Sequence, residues 1–363
     1  MVVNKDTIQA DCLKEIGNNK HCGVELGTGT GKTLLGLKHM CKQYHDSIMF
    51  LVVAPTLAIH REWKEEAIKH GYSELLSHIK FVTYISLYKE QTDYDYVYLD
   101  ECHNLKNKHA QWLRLHKGSI LGMTGTYPKK RTSESFKVCQ EFCTLVHSYN
   151  IDEGIADKIL NDYKIYVHML DLNSNVYFNS STNKTICETQ NYGMWTNLIN
   201  KAAPSKIKLM RIMRMKAIQS YETKVNYAVK LLNNQVDKTL VFADYTKQAD
   251  MICEYVYHSK DKKSDNNLKM FKTGAINKLS SVQQMAEGVN IPELKTGIIL
   301  HSYSDEKKLK QKIGRFLRLN PAEKCTIHLL CYRNTIDEKW CKNALKDFDN
   351  KKIYKYNGNL NPT

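Results

Sequence analysis

Gly27-Thr-Gly-Thr-Gly-Lys-Thr33 is the stretch from which the rest of the chain can be read. A short apolar run, Cys22 to Leu26, precedes it, and a helix-like stretch, Leu34 to His45, follows. Glycines let backbone N–H groups turn inward around an oxyanion, and a helix N-terminus adds partial positive charge. In that setting Gly27, Thr28, Gly29, Thr30 and Gly31 would cradle phosphates, and Lys32 would reach the β- and γ-phosphates. The Thr33 hydroxyl would coordinate Mg2+. Leu26 stands where the full G-x-x-x-x-G-K-[ST] pattern has its first glycine, so an ordinary strand-to-helix turn is the competing reading. A lysine held in so tight a loop nevertheless needs an anion partner.

Working outward, Ile48 to Val53 is an unbroken apolar run closed by Ala54-Pro55-Thr56, the form of a buried parallel strand. Phe81 to Tyr84, Tyr96 to Leu99 and Ile120 to Met123 are further strands, with helical stretches such as Ile59 to His70 between them. The same grammar restarts at Thr239 to Ala243 and continues through Gly297 to His301 and Thr326 to Cys331. Strands alternating with helices predict an α/β fold with doubly wound, mostly parallel sheets and functional loops at the strand C-terminal ends. Asp171 to Ser205, rich in Asn, Ser and Thr, reads as an irregular connector, followed by a basic helix from Lys206 to Gln219. Asn350 to Thr363 reads as a polar tail.

At 363 residues the chain fits two domains of ordinary size, and 42% hydrophobic residues exclude a disordered chain. The formal net charge of +15 points to a polyanionic partner. The eleven cysteines show one loose pair, Cys139 and Cys143, and not the two clusters that structural zinc requires. Free thiols in a reducing compartment are expected. Without an apolar signal core or a run of about eighteen apolar residues, the sequence reads as a soluble, cytoplasmic protein.

Two further anchors carry chemistry. Asp100-Glu101 ends a strand of apolar and aromatic residues, an unfavourable place for charge unless a cation is nearby. Asp100 can hold Mg2+ together with Thr33, and Glu101 can orient and deprotonate an attacking water. The third anchor is Gln311-x-x-Gly314-Arg315-x-x-Arg318. Residues three apart share a helix face, so Arg315 and Arg318 project together and could stabilise charge on a transferring phosphoryl group. Lys307, Lys308, Lys310 and Lys312 leave a basic surface helix as the alternative.

In this order and on two α/β halves, the three anchors resemble the superfamily 2 helicases and translocases. Gly27 to Thr33 is similar to motif I, Ala54-Pro55-Thr56 to motif Ia and Thr83-Tyr84 to motif Ib. Asp100 to His103 is similar to the D-E-x-H box and Thr124 to Thr126 to motif III. Val241 to Tyr245, Glu287 to Ile291 and Gln311 to Arg318 are similar to motifs IV, V and VI. The resemblance implies two tandem RecA-like domains: 1–170 binding ATP, 171–220 as connector, and 221–363 as the C-terminal helicase domain. ATP and Mg2+ would occupy a cleft between the halves, with Arg315 and Arg318 arriving from the second.

It further implies that Gln9 reads adenine and that His103, Thr124, Thr126 and Gln311 couple nucleotide state to nucleic acid. Gly288 and Asn290 would lie near the ribose or the interdomain face. Pro55, Thr56, Thr83, Tyr84 and Tyr245 would grip a nucleic-acid backbone without reading bases. Asp100 to Asn107 and Thr124-Gly125-Thr126 resemble the remodeller-related DNA translocases, although Tyr127 intervenes before Pro128. The stretch from Asp152 to His168 resembles the link of compact phage helicases and restriction-type motor subunits. The implied activity is an ATP-dependent DNA helicase or duplex translocase acting on DNA. An RNA-remodelling ATPase, or an ATP-gated clamp subunit of a larger complex, is the alternative.

Overall fold

The computed structural model of the chain describes residues 4–27, 30–149, 151–157, 161–179, 185–282, 291–304, 306–317, 324–346 and 348–358. The chain divides into two compact units, one built on Met1–Asp162 and the other on most of the remainder from Tyr163 onward.

In the first unit the strands are β1 (His21–Leu26), β2 (Phe50–Ala54), β3 (Ile79–Thr83), β4 (Tyr96–Asp100), β5 (Ser119–Thr124) and β6 (Leu145–Tyr149). They form a parallel sheet in the order β3-β2-β4-β5-β1-β6. Its central strands read as apolar runs because both faces are covered. One face packs under α1 (Lys5–Ile16), α2 (Lys32–Gln43) and α3 (Leu57–Lys69), where Leu13, Leu35, Met40 and Trp63 meet Val24, Phe50 and Val52. The other packs under α4 (Asn107–Leu115) and α5 (Glu134–Phe142), where Leu113, Val138 and Phe142 meet Val53, Leu99 and Ile120. This order makes β4, β5 and β1 neighbours, so the loops at their C-terminal ends lie side by side. A short helix, α6 (Ile151–Ala156), closes the unit.

The second unit carries β7 (Asp162–Leu170), the antiparallel pair β8 (Tyr177–Asn179) and β9 (Thr185–Cys187), then α7 (Glu188–Lys201), α8 (Pro204–Ser220) and α9 (Glu222–Asn233). Next come β10 (Thr239–Ala243), α10 (Thr246–Ile252), β11 (Val256–Tyr257), α11 (Ser264–Thr273), β12 (Lys278–Val282) and β13 (Thr296–Ile299). The unit ends with α12 (Glu306–Gly314), β14 (Lys324–Tyr332), α13 (Ile336–Leu345) and β15 (Ile353–Asn357). The second sheet runs β11-β12-β10-β13-β14-β7-β15 and is parallel in every pairing recorded among the described residues. Both units therefore have the mostly parallel, helix-flanked α/β architecture expected.

Three boundaries differ from the sequence reading. The division falls at Asp162/Tyr163, and not after 170, because β7 pairs in register with β15 of the second sheet. The supposed irregular connector contains β8, β9 and α7. Its buried helix face combines Trp195 with two polar residues, which weakens the period: Glu188 accepts from the N–H of Asn173 and of Thr223, and Asn191 from the Tyr221 hydroxyl. The supposed tail contains β15, whose exposed edge position leaves little apolar signature. No helix among the described residues is long and apolar enough to cross a membrane.

Candidate nucleotide site and the helicase motifs

β1 delivers the chain to the phosphate loop, where the Gly27 N–H donates to Tyr149 O of β6 (2.9 Å) and the Thr30 hydroxyl donates back to Gly27 O (2.7 Å). Thr28 and Gly29 lie outside the described residues. Gly31 caps α2 at φ 88°, a left-handed conformation that favours glycine. A β-carbon there would lie 2.4 Å from Lys5 Cε and 2.6 Å from the Gln9 amide nitrogen. Gly31 has no side chain with which to cap α2. The first amides of the helix therefore remain suited to an anion. Gln9, fully buried, donates to Thr30 O (3.2 Å) and Gly31 O (3.1 Å), while its own carbonyl oxygen is buried without a partner among the described residues. An orphaned buried acceptor is costly, and a donor on an incoming base would satisfy it.

At the end of β4, Asp100 is buried and both its oxygens accept, from the Trp63 indole N–H (2.8 Å) and the Glu101 N–H (2.9 Å). Burial, aided by the neighbouring Glu101 charge, raises its pKa to about 7, with Lys32 and Trp63 opposing. Glu101 adopts φ 51°, a left-handed conformation that costs a residue with a β-carbon about 1–2 kcal/mol. Asn104 holds it there through two donations to Glu101 O, at 2.9 and 3.1 Å.

The Glu101 carboxylate is the hub. Lys32 Nζ lies 3.6 Å from Oε1, and His103 Nδ1 lies 3.3 Å from Oε2. Thr124 Oγ1, at the end of β5, donates to Oε2 (3.4 Å), accepts from the Thr126 N–H (3.1 Å) and lies 2.8 Å from His103 Nδ1. The loops after β1, β4 and β5 thus meet in one array, the first through an ion pair and the other two through hydrogen bonds. Tyr127 anchors the third loop: its N–H donates to the buried Glu25 carboxylate and its hydroxyl to Cys143 O. Sequence reasoning missed Glu25, Trp63 and Lys5. Only the burial of an acid inside β1 and of an indole beside Asp100 could have marked the first two.

Thr33 lies in the first turn of α2, Pro55 and Thr56 follow β2, and Thr83 ends β3 on the flank of the same sheet. Tyr84 departs from its expected role as a backbone contact. It is buried, and its hydroxyl donates to Asp100 O (2.9 Å), so it braces the acidic loop. In the second unit Tyr245 follows β10, is 38% exposed and lines a pocket of about 160 Å3 with Asp244, Tyr303 and Lys308. Gln311 lies on α12, and Arg315 directly follows it. Lys312 does not fit a basic surface helix: it is buried and paired with Asp244 (3.4 Å), which ties α12 to the end of β10. Gly288, Asn290 and Arg318 lie outside the described residues.

Residues 4–129 match the family of the type III restriction enzyme res subunit, and residues 223–320 match the helicase conserved C-terminal domain. The DNA 3′-5′ translocase XPB2 of Sulfurisphaera tokodaii is 23% identical over 366 residues, 89% of this chain and 80% of the relative. Among solved structures, the ATP-dependent Type ISP restriction-modification enzyme LlaBIII bound to DNA is similar at a TM-score of 0.62 and 15% identity. That match takes in 97% of this chain but only 31% of the enzyme's length. Dbp5 of S. cerevisiae, bound to RNA and ADP BeF3, gives a TM-score of 0.62 at 12% identity over 97% of this chain and 89% of its own. At such identities the structures speak for the fold, and the two sequence families supply the assignment. With motifs I, II and III meeting in one array and a match to the helicase C-terminal domain following, the two family matches and the translocase relative support a superfamily 2 helicase or translocase, a nucleic-acid-dependent ATPase.

Proposed function

We propose that the chain hydrolyses ATP to ADP and phosphate and uses the hydrolysis to move along or remodel DNA. The observation that carries this reading is the array in which one carboxylate, Glu101, meets Lys32, His103 and Thr124. The Gln9 carbonyl accepts from the adenine amino group. The α2 amides and Lys32 take the β- and γ-phosphates. Thr33 and Asp100 hold Mg2+, and a buried carboxylate with a raised pKa fits a cation-binding role. When bound, the ion neutralises phosphate charge. Glu101 exchanges its ion pair with Lys32 for the attacking water, orients it and takes its proton. Arg315 and Arg318 supply the remaining positive charge to the transferring phosphoryl group.

His103, Thr124, Thr126 and Gln311 pass the nucleotide state to the nucleic acid. Pro55, Thr56, Thr83 and Tyr245 hold its backbone, through hydroxyls and amides that suit phosphate. DNA is the substrate favoured by the relative named a DNA translocase and by the DNA-bound restriction enzyme. The test compares ATPase rates with single-stranded, duplex and forked DNA and with RNA, at one salt concentration. Stimulation by DNA that falls steeply as salt rises is expected. Stimulation by RNA and not by DNA overturns the choice of substrate.

A further inference from the structure

The far edge of the second sheet carries a feature that the motifs do not use. β15 pairs parallel with β7 in a register that sets Tyr354 beside Tyr166 and Tyr356 beside His168. Side chains alternate along a strand, so Lys164, Tyr166 and His168 share one face with Tyr354, Tyr356 and, on β14, Lys324, Thr326 and His328. The rings interlock. Tyr166 lies 5.5 Å from His328 at 22°, 5.3 Å from Tyr354 and 5.4 Å from Tyr356, and His168 stacks on Tyr356 at 5.8 Å. Helix α9 covers the inner end of this face, where the Tyr227 hydroxyl meets His168 (2.8 Å). The outer end is open: Tyr354 is 41% and Tyr356 53% exposed.

Charge decides what could cover it. Lys164 sits 6.0 Å above the Tyr354 ring, and Lys324 is exposed on the same face. Asp162, at the head of the β7 row, is already engaged in an interaction of its own. Burial lowers the pKa of His168 to about 4 and of His328 to about 3, so both imidazoles are neutral and the lysines carry the positive charge. Two half-exposed tyrosine rings beside lysines, on a chain of net charge +15, match an anion that also offers flat rings. Duplex DNA hides its base faces and a single strand does not. The ring-to-ring contacts fix the tyrosines beforehand, which lowers the ordering cost of binding. Their Cα atoms, two apart on β15, are about 6.6–6.8 Å apart, a spacing that splayed bases can follow.

We propose that Tyr354, Tyr356 and Tyr166, flanked by Lys164 and Lys324, form a stacking platform for the unpaired bases of single-stranded DNA, separate from the backbone groove of the helicase motifs. It rests on the reading of DNA as substrate but not on the ATP site. The test uses the full chain and a fluorescent oligo-dT, with anisotropy read against a duplex of equal length. Tyr354→Ala/Tyr356→Ala should weaken oligo-dT binding by about 30-fold or more and leave the duplex affinity and the DNA-free ATPase rate unchanged. Tyr354→Phe/Tyr356→Phe, which keeps the ring faces, should bind like the parent and controls for folding. Lys164→Ala/Lys324→Ala should reduce the salt slope by about 1.4. Oligo-dT affinity unchanged in the alanine variant overturns the platform, and so does a change confined to self-association in sedimentation. A parent chain that binds neither DNA form and is stimulated by neither overturns the substrate reading instead. Preference for oligo-U over oligo-dT overturns the choice of DNA.

Discussion

Replacing Trp63 by phenylalanine should shift the pH dependence of hydrolysis, although the indole is not itself a residue of any motif. The Trp63 N–H donates to Asp100 Oδ2 at 2.8 Å in a fully buried setting, and it favours the carboxylate form. A hydrogen bond to a charged group is worth about 1.5–3 kcal/mol, and each pKa unit corresponds to about 1.36 kcal/mol. Losing the bond should therefore raise the Asp100 pKa from about 7 by roughly one to two units. The acid limb of kcat/KM for ATP reports the free enzyme. At fixed free Mg2+ its midpoint should move from about pH 7 to about pH 8–9, with activity recovering above it. The void left beside Gly36 lowers stability at every pH and cannot imitate a displaced midpoint.

The same shift has a stability sign. Asp100 titrates well above its ordinary 3.8 in the folded protein, so its contribution is fully present below that value and is lost as pH rises towards about 7. Trp63→Phe should extend that loss to higher pH in the nucleotide-free protein. An acid limb with the parent's midpoint refutes the assignment of Asp100 as the titrating cation ligand.

Other expectations follow from single contacts. Gly36→Ala places a β-carbon 2.4 Å from the buried Trp63 ring and should cost about 1–3 kcal/mol in urea unfolding, less when combined with Trp63→Phe. In the second unit the Lys224 ammonium and Asp337 carboxylate are buried and 2.6 Å apart. Asp337→Ala should cost about 3–5 kcal/mol, and adding Lys224→Met should recover much of it, because the lone buried lysine is the larger penalty. His103→Ala should reduce stimulation by DNA about fivefold or more in ATPase assays, with a smaller effect on the DNA-free rate.

The sequence made the first unit legible where chemistry is local. A glycine loop, a lysine and two adjacent acids are read in their own order, and β-strands buried on both faces announce themselves as apolar runs. What escaped was set by contacts across the chain. Trp63 and Asp100 come together only because α3 packs on the sheet face beneath β4. Tyr84 was expected to grip a nucleic-acid backbone from the resemblance to motif Ib, yet its hydroxyl donates to Asp100 O. Lys312 stood among lysines and was readable as solvated, but Asp244 compensates it in the interior. The α7 face is buried through Glu188 and Asn191 as well as Trp195, so its apolar period is weak. At β15 the alternation of tyrosine with lysine was present in the sequence, but an edge strand with a mostly exposed face resembles a tail until its partner β7 is known.

The most direct measurement is ATP turnover and ATP binding by Glu101→Gln beside the parent chain, each with and without DNA. The parent should hydrolyse ATP faster when DNA is added. Glu101→Gln should still bind ATP but turn it over at least about 100-fold more slowly, because general-base catalysis of this kind contributes about 10²–10⁴-fold. DNA-stimulated turnover by Glu101→Gln at the parent's rate would contradict the account, as would a parent chain that no DNA stimulates.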